Sequence, residues 1–294
     1  MSLPGLTLIG ERINPGFASS KALLDAEDIP GLQHLAQQQA SKGAHYLTIN
    51  VGDKSLSKPE FVAELIRAVQ AVVDLPLAFD NPSLAVQELC LKSYDTARAR
   101  GRKPIVNSVT ELRLDLLELL SIRPFRLVVM ASERIEDGEG LANETAEQIH
   151  ATARRMVARI LGAGCGMVSD DILIDVSIFP LAADMSGKTK RALEAIRLIG
   201  GDAELQGVHQ LVGLSNLGIM LPKTSVDGRP LSTWLESAFL TLAMPLGLDT
   251  ILGTAGRGYR FLPPTDLVFR SFQEIVAAAG VESLALLRTL CRGQ

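Results

Sequence analysis

Ile172-Leu173-Ile174-Asp175-Val176-Ser177-Ile178 is a β-branched, apolar run interrupted by one carboxylate. Its length and branched side chains suit a strand buried on both faces, as in parallel sheets covered by helices. Outward from it in both directions the same pattern repeats. Apolar runs fall at residues 6–13, 45–51, 76–79, 104–109, 125–131, 172–178, 210–217 and 248–252. Helix-length stretches at 31–42, 59–73, 84–100, 111–120, 142–161, 188–199, 231–243 and 265–279 separate and follow them. These carry apolar residues at i, i+3 and i+4, as in Phe61, Leu65, Ala68, Val69 and Val72.

Strand–helix alternation with no left-over block predicts an α/β chain closed into a (β/α)8 TIM barrel. A doubly wound open sheet is the rival, but the Gly-x-Gly-x-x-Gly expected after its first strand is absent. No linker rich in Pro, Gly or Ser divides the chain, so one domain over residues 1–294 is expected. The polar segment 219–230 reads as a long loop at the catalytic mouth.

Composition narrows the function classes. A net charge of −4 argues against a dedicated nucleic-acid binder, and 4% aromatic residues leave few stacking platforms. Cys90, Cys165 and Cys291 are odd in number and far apart, which suits a reducing compartment. Met1-Ser2-Leu3-Pro4-Gly5 lacks the basic and apolar regions of a secretory leader, and no apolar run reaches the ~18 residues of a membrane span. The expectation is a cytoplasmic protein with no membrane or nucleic-acid partner.

In such barrels the active site collects at the C-terminal ends of the strands. Those ends read Glu11 and Asn14, Asn50, Asp80, Asn107, Ser132 and Glu133, Asp175, and Ser215 and Asn216. Any one Asp or Asn there can be a turn former or helix cap. Asp175 and Asn216, however, are flanked by apolar residues of their own runs, and a buried carboxylate without a partner costs several kcal/mol. The histidines His34, His45, His150 and His209 fall in helices or just before strands, so neither a zinc site nor a serine triad is expected. Carboxylates and amides without metal ligands or a nucleophile suggest hydrogen-bond recognition of a flat heterocycle, for which a pterin ring is well matched.

Gly10-Glu11-Arg12-Ile13-Asn14, Leu47-Thr48-Ile49-Asn50-Val51-Gly52, Phe79-Asp80, Ile105-Val106-Asn107-Ser108, Leu173-Ile174-Asp175, Gly213-Leu214-Ser215-Asn216, Arg229-Pro230-Leu231 and Gly247-Leu248-Asp249 occur in order over residues 6–250. This series resembles the methyltetrahydrofolate:corrinoid/iron-sulfur protein methyltransferases, whose barrel is of the pterin-binding, dihydropteroate synthase-like type. The resemblance implies that Asp80, Asn107 and Asp175 hold the pterin ring. It places Asn216 at N5 as the catalytic residue, with Ser215 and Arg229 as further contacts and Glu11 and Asn50 in the same ring of strand ends. It implies methyltetrahydrofolate or tetrahydrofolate as substrate, a corrinoid (cobalamin) supplied by a partner corrinoid protein, no metal bound by this chain, and a homodimer.

The chain departs from that pattern at Thr48, where the family commonly has Asp, and at Val176, where proline is expected. It also has a longer loop after Asn216, and Gly253 and Thr254 stand where a carboxylate is usual. Two other readings share the barrel or the ligand. A dihydropteroate synthase-like enzyme would need Lys223, Arg229, Arg257 and Arg260 to hold a diphosphate, without the usual Ser-Arg-Lys-Arg-like run. A non-catalytic folate-binding subunit would be expected to lack the N5-directed amide, which Asn216 supplies.

Overall fold

The computed structural model describes residues 3–292. Met1 and Ser2 of the expected leaderless start, and Gly293 and Gln294 at the end of the expected domain, lie outside the described residues. Strands β1 (Thr7–Gly10), β2 (Tyr46–Ile49), β3 (Leu77–Asp80), β4 (Ile105–Val109), β5 (Arg126–Met130), β8 (Ile172–Asp175), β9 (His209–Gly213) and β10 (Thr250–Gly253) close into a parallel barrel in the order β1-β10-β9-β8-β5-β4-β3-β2. A two-stranded antiparallel hairpin, β6 (Glu133–Glu136) and β7 (Glu139–Ala142), stands outside it. Helices α1 (Ala18–Asp25), α2 (Ile29–Ser41), α3 (Lys54–Ser57), α4 (Pro59–Val72), α5 (Leu84–Ser93), α6 (Ala146–Gly162), α7 (Lys188–Gly200), α8 (Leu231–Ala243), α9 (Leu267–Ala277) and α10 (Gly280–Arg292) complete the elements. The expected (β/α)8 barrel is the architecture found.

The helices start where local chemistry supplies the missing acceptors. Asp28 accepts from the Gly31 amide at the start of α2, and Asp266 accepts from that of Phe269 at the start of α9. Thr145 and Gln148 form a reciprocal capping box on α6.

Eight residues, one from each strand, meet inside the barrel. Ile9, Ala78, Ile105, Val128, Leu173 and Leu211 form its buried inner cluster, with Tyr46 and Leu252 packed against them. Because side chains alternate along a strand, the next inward positions are two residues on. They are Glu11, Thr48 (then Asn50), Asp80, Asn107, Met130, Asp175, Gly213 and Thr254. An apolar plug thus sits directly beneath a polar layer at the C-terminal end. At the other end, His209 lies between Asp249 (2.7 Å) and Asp170 (3.1 Å), which raise its pKa above the usual imidazole range.

Several elements differ from the sequence-based expectation. The run at 210–217 ends as a strand at Gly213 and continues as a 3-10 turn, Leu214–Gly218. The stretch 111–120 holds a 3-10 helix, Leu114–Ser121, and the helix over 84–100 stops at Ser93. The last helical stretch is α9, and α10 follows it at Gly280. Residues 219–230 lack a helix; a Thr224–Pro230 bridge closes the segment on itself, and a bond from the Val226 amide to the Leu290 carbonyl (3.0 Å) ties it to α10.

Candidate active site

The centre of the polar layer is a three-strand contact. Asp80, the last residue of β3, is opposite Asn107 of β4 in the sheet register. Its Oδ1 accepts from Asn107 Nδ2 at 3.3 Å and its Oδ2 from Asn50 Nδ2 at 2.9 Å. Asn50 also forms an ordinary turn, since its Oδ1 accepts from the Gly52 amide. Asn50 thus combines a turn contact with a side-chain contact to Asp80. Asn14 shows only the turn contact, to the Gly16 amide.

Gln87 of α5, fully buried, fixes this corner from behind. Its Nε2 donates to the carbonyls of Phe79, Asn81 and Asn107, and so ties the end of β3 to the middle of β4. Sequence reasoning passed over Gln87. The one available signal was an amide on the face of α5 that also carries Val86, Cys90 and Leu91.

Asp175 ends β8, paired with Met130 on one side and Leu211 on the other. The Ser177 amide donates to its Oδ1 at 2.7 Å. Burial pushes its carboxyl up to about 6; the Ser177 amide opposes the shift, and the nearby Asp80 charge adds to it. Burial likewise raises Asp80, opposed by the Asn50 bond. Two carboxylates therefore face one space with unfilled hydrogen-bonding capacity and raised proton affinity. A ligand presenting N–H donors would stabilise both in their charged forms.

A second set closes the other side of the mouth. Glu11, only 3% exposed, accepts from Ser215 Oγ at 2.7 Å and from Thr254 Oγ1 at 2.5 Å. The carboxylate thus joins the ends of β1, β9 and β10. Thr254 does here what a second carboxylate could not do beside Glu11, because it donates. Thr48 faces inward, 1% exposed, and its Oγ1 has no hydrogen-bond partner among the described residues.

Asn216 lies on the 3-10 turn after β9 and not on the strand itself. Its side chain is exposed and makes no hydrogen bond with a described residue. It folds back over Gly213, where a Cβ would lie 3.1 Å from Asn216 Nδ2. The glycine leaves room for that amide.

Arg229 is not joined to this ring by any hydrogen bond among the described residues. Its guanidinium pairs with Asp227 and with Asp266 (each 2.6 Å) and stacks 4.1 Å over Trp234. Arg257 pairs with Glu236 of α8, which is fully buried. Burial pushes the Glu236 carboxyl up to about 7, although Arg257 holds it down, and its Oε2 has no partner among the described residues. Arg260 stacks over Trp234 at 5.1 Å and donates to the Gly258 carbonyl. Glu236 was also missed in the sequence, though it is the single charge within the apolar stretch Leu231–Ala243. No group of three or more His, Cys, Asp or Glu is placed to hold a metal among the described residues, and none of their helices is long and apolar enough to cross a membrane.

Residues 13–252 match the model of the family described as pterin binding enzyme. Among solved structures, the chain is similar to dihydropteroate synthase from Thermus thermophilus in complex with 6HMPPP, at 19% identity and a TM-score of 0.56, over 87% of this chain and 92% of that one. It is similar to dihydropteroate synthase from Clostridium difficile in the presence of pteroic acid, at 17% identity and TM-score 0.59, over 92% and 96%. It is also similar to the Xanthomonas albilineans dihydropteroate synthase with 4-aminobenzoic acid, at 19% identity and TM-score 0.56, over 87% and 90%. At these identities the likeness is one of fold.

Proposed function

Since the chain belongs to the pterin binding enzyme family, we propose that it is a methyltransferase moving a methyl group between N5 of tetrahydrofolate and the cobalt of a corrinoid carried by a separate protein. The chain acts as one pterin-binding domain in this reading. Asp80 and Asp175 accept from the N–H groups of the pterin. Asn50 and Asn107 orient Asp80, and Glu11 with Ser215 fixes the turn that bears Asn216. The side-chain amide of Asn216 faces N5.

The observation that carries this reading is how the polar groups at the mouth are engaged. Of the four cations that could hold a diphosphate, Arg229 and Arg257 are already held by Asp227, Asp266 and Glu236, and Arg260 is stacked on Trp234, which leaves Lys223. The Asn216 amide is exposed and uncommitted. That pattern suits a neutral tertiary amine at N5 better than a diphosphate leaving group. A dihydropteroate synthase-like activity is the second reading, favoured by the names of the structural neighbours.

In the forward direction, the Co(I) electron pair forms the new Co–C bond. The N5–methyl bond breaks with its pair left on N5, which takes up a proton. An amide can donate to N5 or accept from its N–H, so Asn216 can serve both states. A bond that strengthens as N5 changes charge lowers the barrier. The proton reaches N5 through water or the surrounding hydrogen-bond network. Holding pterin and cobalt in line supplies the rest. Arg229 acts from a distance here, by fixing the start of α8. The protein works as a homodimer in the cytoplasm, with the corrinoid protein docking over the mouth.

The test mixes purified protein with methyltetrahydrofolate and photoreduced Co(I) cobalamin and follows the absorbance change to methylcobalamin. Turnover supports the proposal. Absence of methyl transfer, together with condensation of a pterin diphosphate with 4-aminobenzoic acid, would replace it with the synthase reading.

A further inference from the structure

Between α10 and the segments that follow β8 and β9 runs a groove of about 800 Å3, within the size range of small-molecule sites. Its walls include Ala182, Met220, Leu221, Pro222, Leu287 and Arg288. Resting on the pterin reading above, we propose that this groove binds the aryl-glutamate arm of the folate, with Arg288 on a carboxylate of that arm.

The first argument is continuity with the site. Ala182 belongs to the 3-10 turn Leu181–Ala183 that follows β8 and Asp175. Met220, Leu221 and Pro222 follow the turn that carries Asn216. The two turns pack against each other. Met220 is four residue steps beyond Asn216, a reach of at most ~14 Å even if fully extended. A ligand whose ring lies between Asp175 and Asn216 therefore meets the groove as its substituent leaves the mouth.

Lining chemistry gives the second argument. Among the described residues the groove is walled by aliphatic, thioether and thiol side chains with one cation, Arg288, and no carboxylate. The Arg288 side chain makes no hydrogen bond or ion pair with a described residue. Met220 is 75% exposed and Ile219 beside it 48%, an apolar surface next to a polar mouth. An occupant that is flat and apolar at one end and anionic at the other complements both features. Met220 and Leu287 would flank its aryl ring, and the guanidinium fork would take its carboxylate.

The third argument is preorganisation. α10 is anchored through α9, and the 219–230 loop is tied to it by the Val226–Leu290 bond. The groove's walls are thus held by contacts within the fold, so little ordering cost is left to binding.

Calorimetry with tetrahydrofolate and with 6-methyltetrahydropterin, which lacks the arm, tests this on wild type, Arg288→Ala and Met220→Glu. Neither side chain makes a structural bond, so folding is expected to be unaffected. The expected result is about 10-fold weaker tetrahydrofolate binding in each variant, the worth of one charge-assisted hydrogen bond. Binding of 6-methyltetrahydropterin should stay at the wild-type level. Equal affinities for the two ligands in wild type, or equal losses for both in the variants, would overturn the groove's role and leave the pterin site standing. Wild type that binds neither ligand would overturn the pterin reading and the groove with it. If Met220→Glu instead converts a dimer to a monomer in sedimentation while folate affinity holds, the groove is an interface between copies and the proposal is overturned.

Discussion

Asn50 donates from its side-chain amide to Asp80 at 2.9 Å, whereas among the described residues Asp175 accepts from the Ser177 amide and from no side chain. The two carboxylates of the mouth therefore hold protons differently. Both are raised by burial, but Asp175 reaches about 6.

This difference makes pterin affinity pH-dependent. In the free protein Asp175 is mostly protonated at pH 5 and charged at pH 7. A ligand bound by the charged form should bind about 10-fold more weakly at pH 5 than at pH 7. Asp175→Asn should bind more weakly at pH 7 and lose the dependence. Stability of the free protein runs the opposite way. A carboxyl with its folded pKa above the usual 3.8 favours the fold below that value and loses this contribution as pH rises to about 6. Affinity by calorimetry and stability by urea melts at both pH values check the two signs together.

Gly213→Ala places a methyl group 3.1 Å from Asn216 Nδ2 and must shift that amide. At Gly213 φ is −76°, which alanine adopts without strain. The fold should therefore melt as in wild type while methyl transfer falls about 10-fold. Asn216→Ala should lower the rate by about 100-fold or more, the usual cost of removing one aimed hydrogen-bond group, with folate still bound. Rate, melting temperature and folate affinity measured on the two variants separate positioning from loss of the group. Full activity in Asn216→Ala would sink the assignment.

Arg257→Ala would leave Glu236 buried without its cation. Removing one member of a buried pair costs about 3–5 kcal/mol. Because burial raises Glu236 to about 7, the loss should be largest at pH 8 and smaller at pH 5, where the carboxyl takes a proton. Glu236→Gln, added to Arg257→Ala, should recover much of the stability at pH 8. Denaturant melts of the single and double variants decide this, and a pH-independent loss would rule out the buried charge as its cause.

The sequence carried the barrel because each strand announces itself by a short branched run, and closure follows from the count of such runs. The strand-end positions of Asp80 and Asp175 were legible because each closes an apolar run, whereas Asn107 lies within β4 and not at its end. The β6–β7 hairpin escaped, since its strands are largely exposed and show no apolar alternation. Its signal was Asp137-Gly138, both at positive φ (53° and 85°), the pair that suits a two-residue hairpin turn. Asn216 was placed on a strand because Leu214 and Leu217 extend the apolar run. Those two are buried by a 3-10 turn instead, whose different period sets Asn216 outward. For Arg229, a ligand contact by the family resemblance, the sequence is silent on its ion pairs. Nothing in the local sequence shows that Asp266, 37 residues away, claims it.

Glu11 has one further consequence, for the order in which the protein is made. Its two hydroxyl donors lie 204 and 243 residues further along the chain. Contacts of such long sequence separation come late and slowly in folding. A nascent chain that has not yet released β10 from the ribosome can hold most of its helices but cannot complete the ring that fixes Asn216. The mouth thus reports on the whole barrel: it is assembled only when the last strand has docked beside the first.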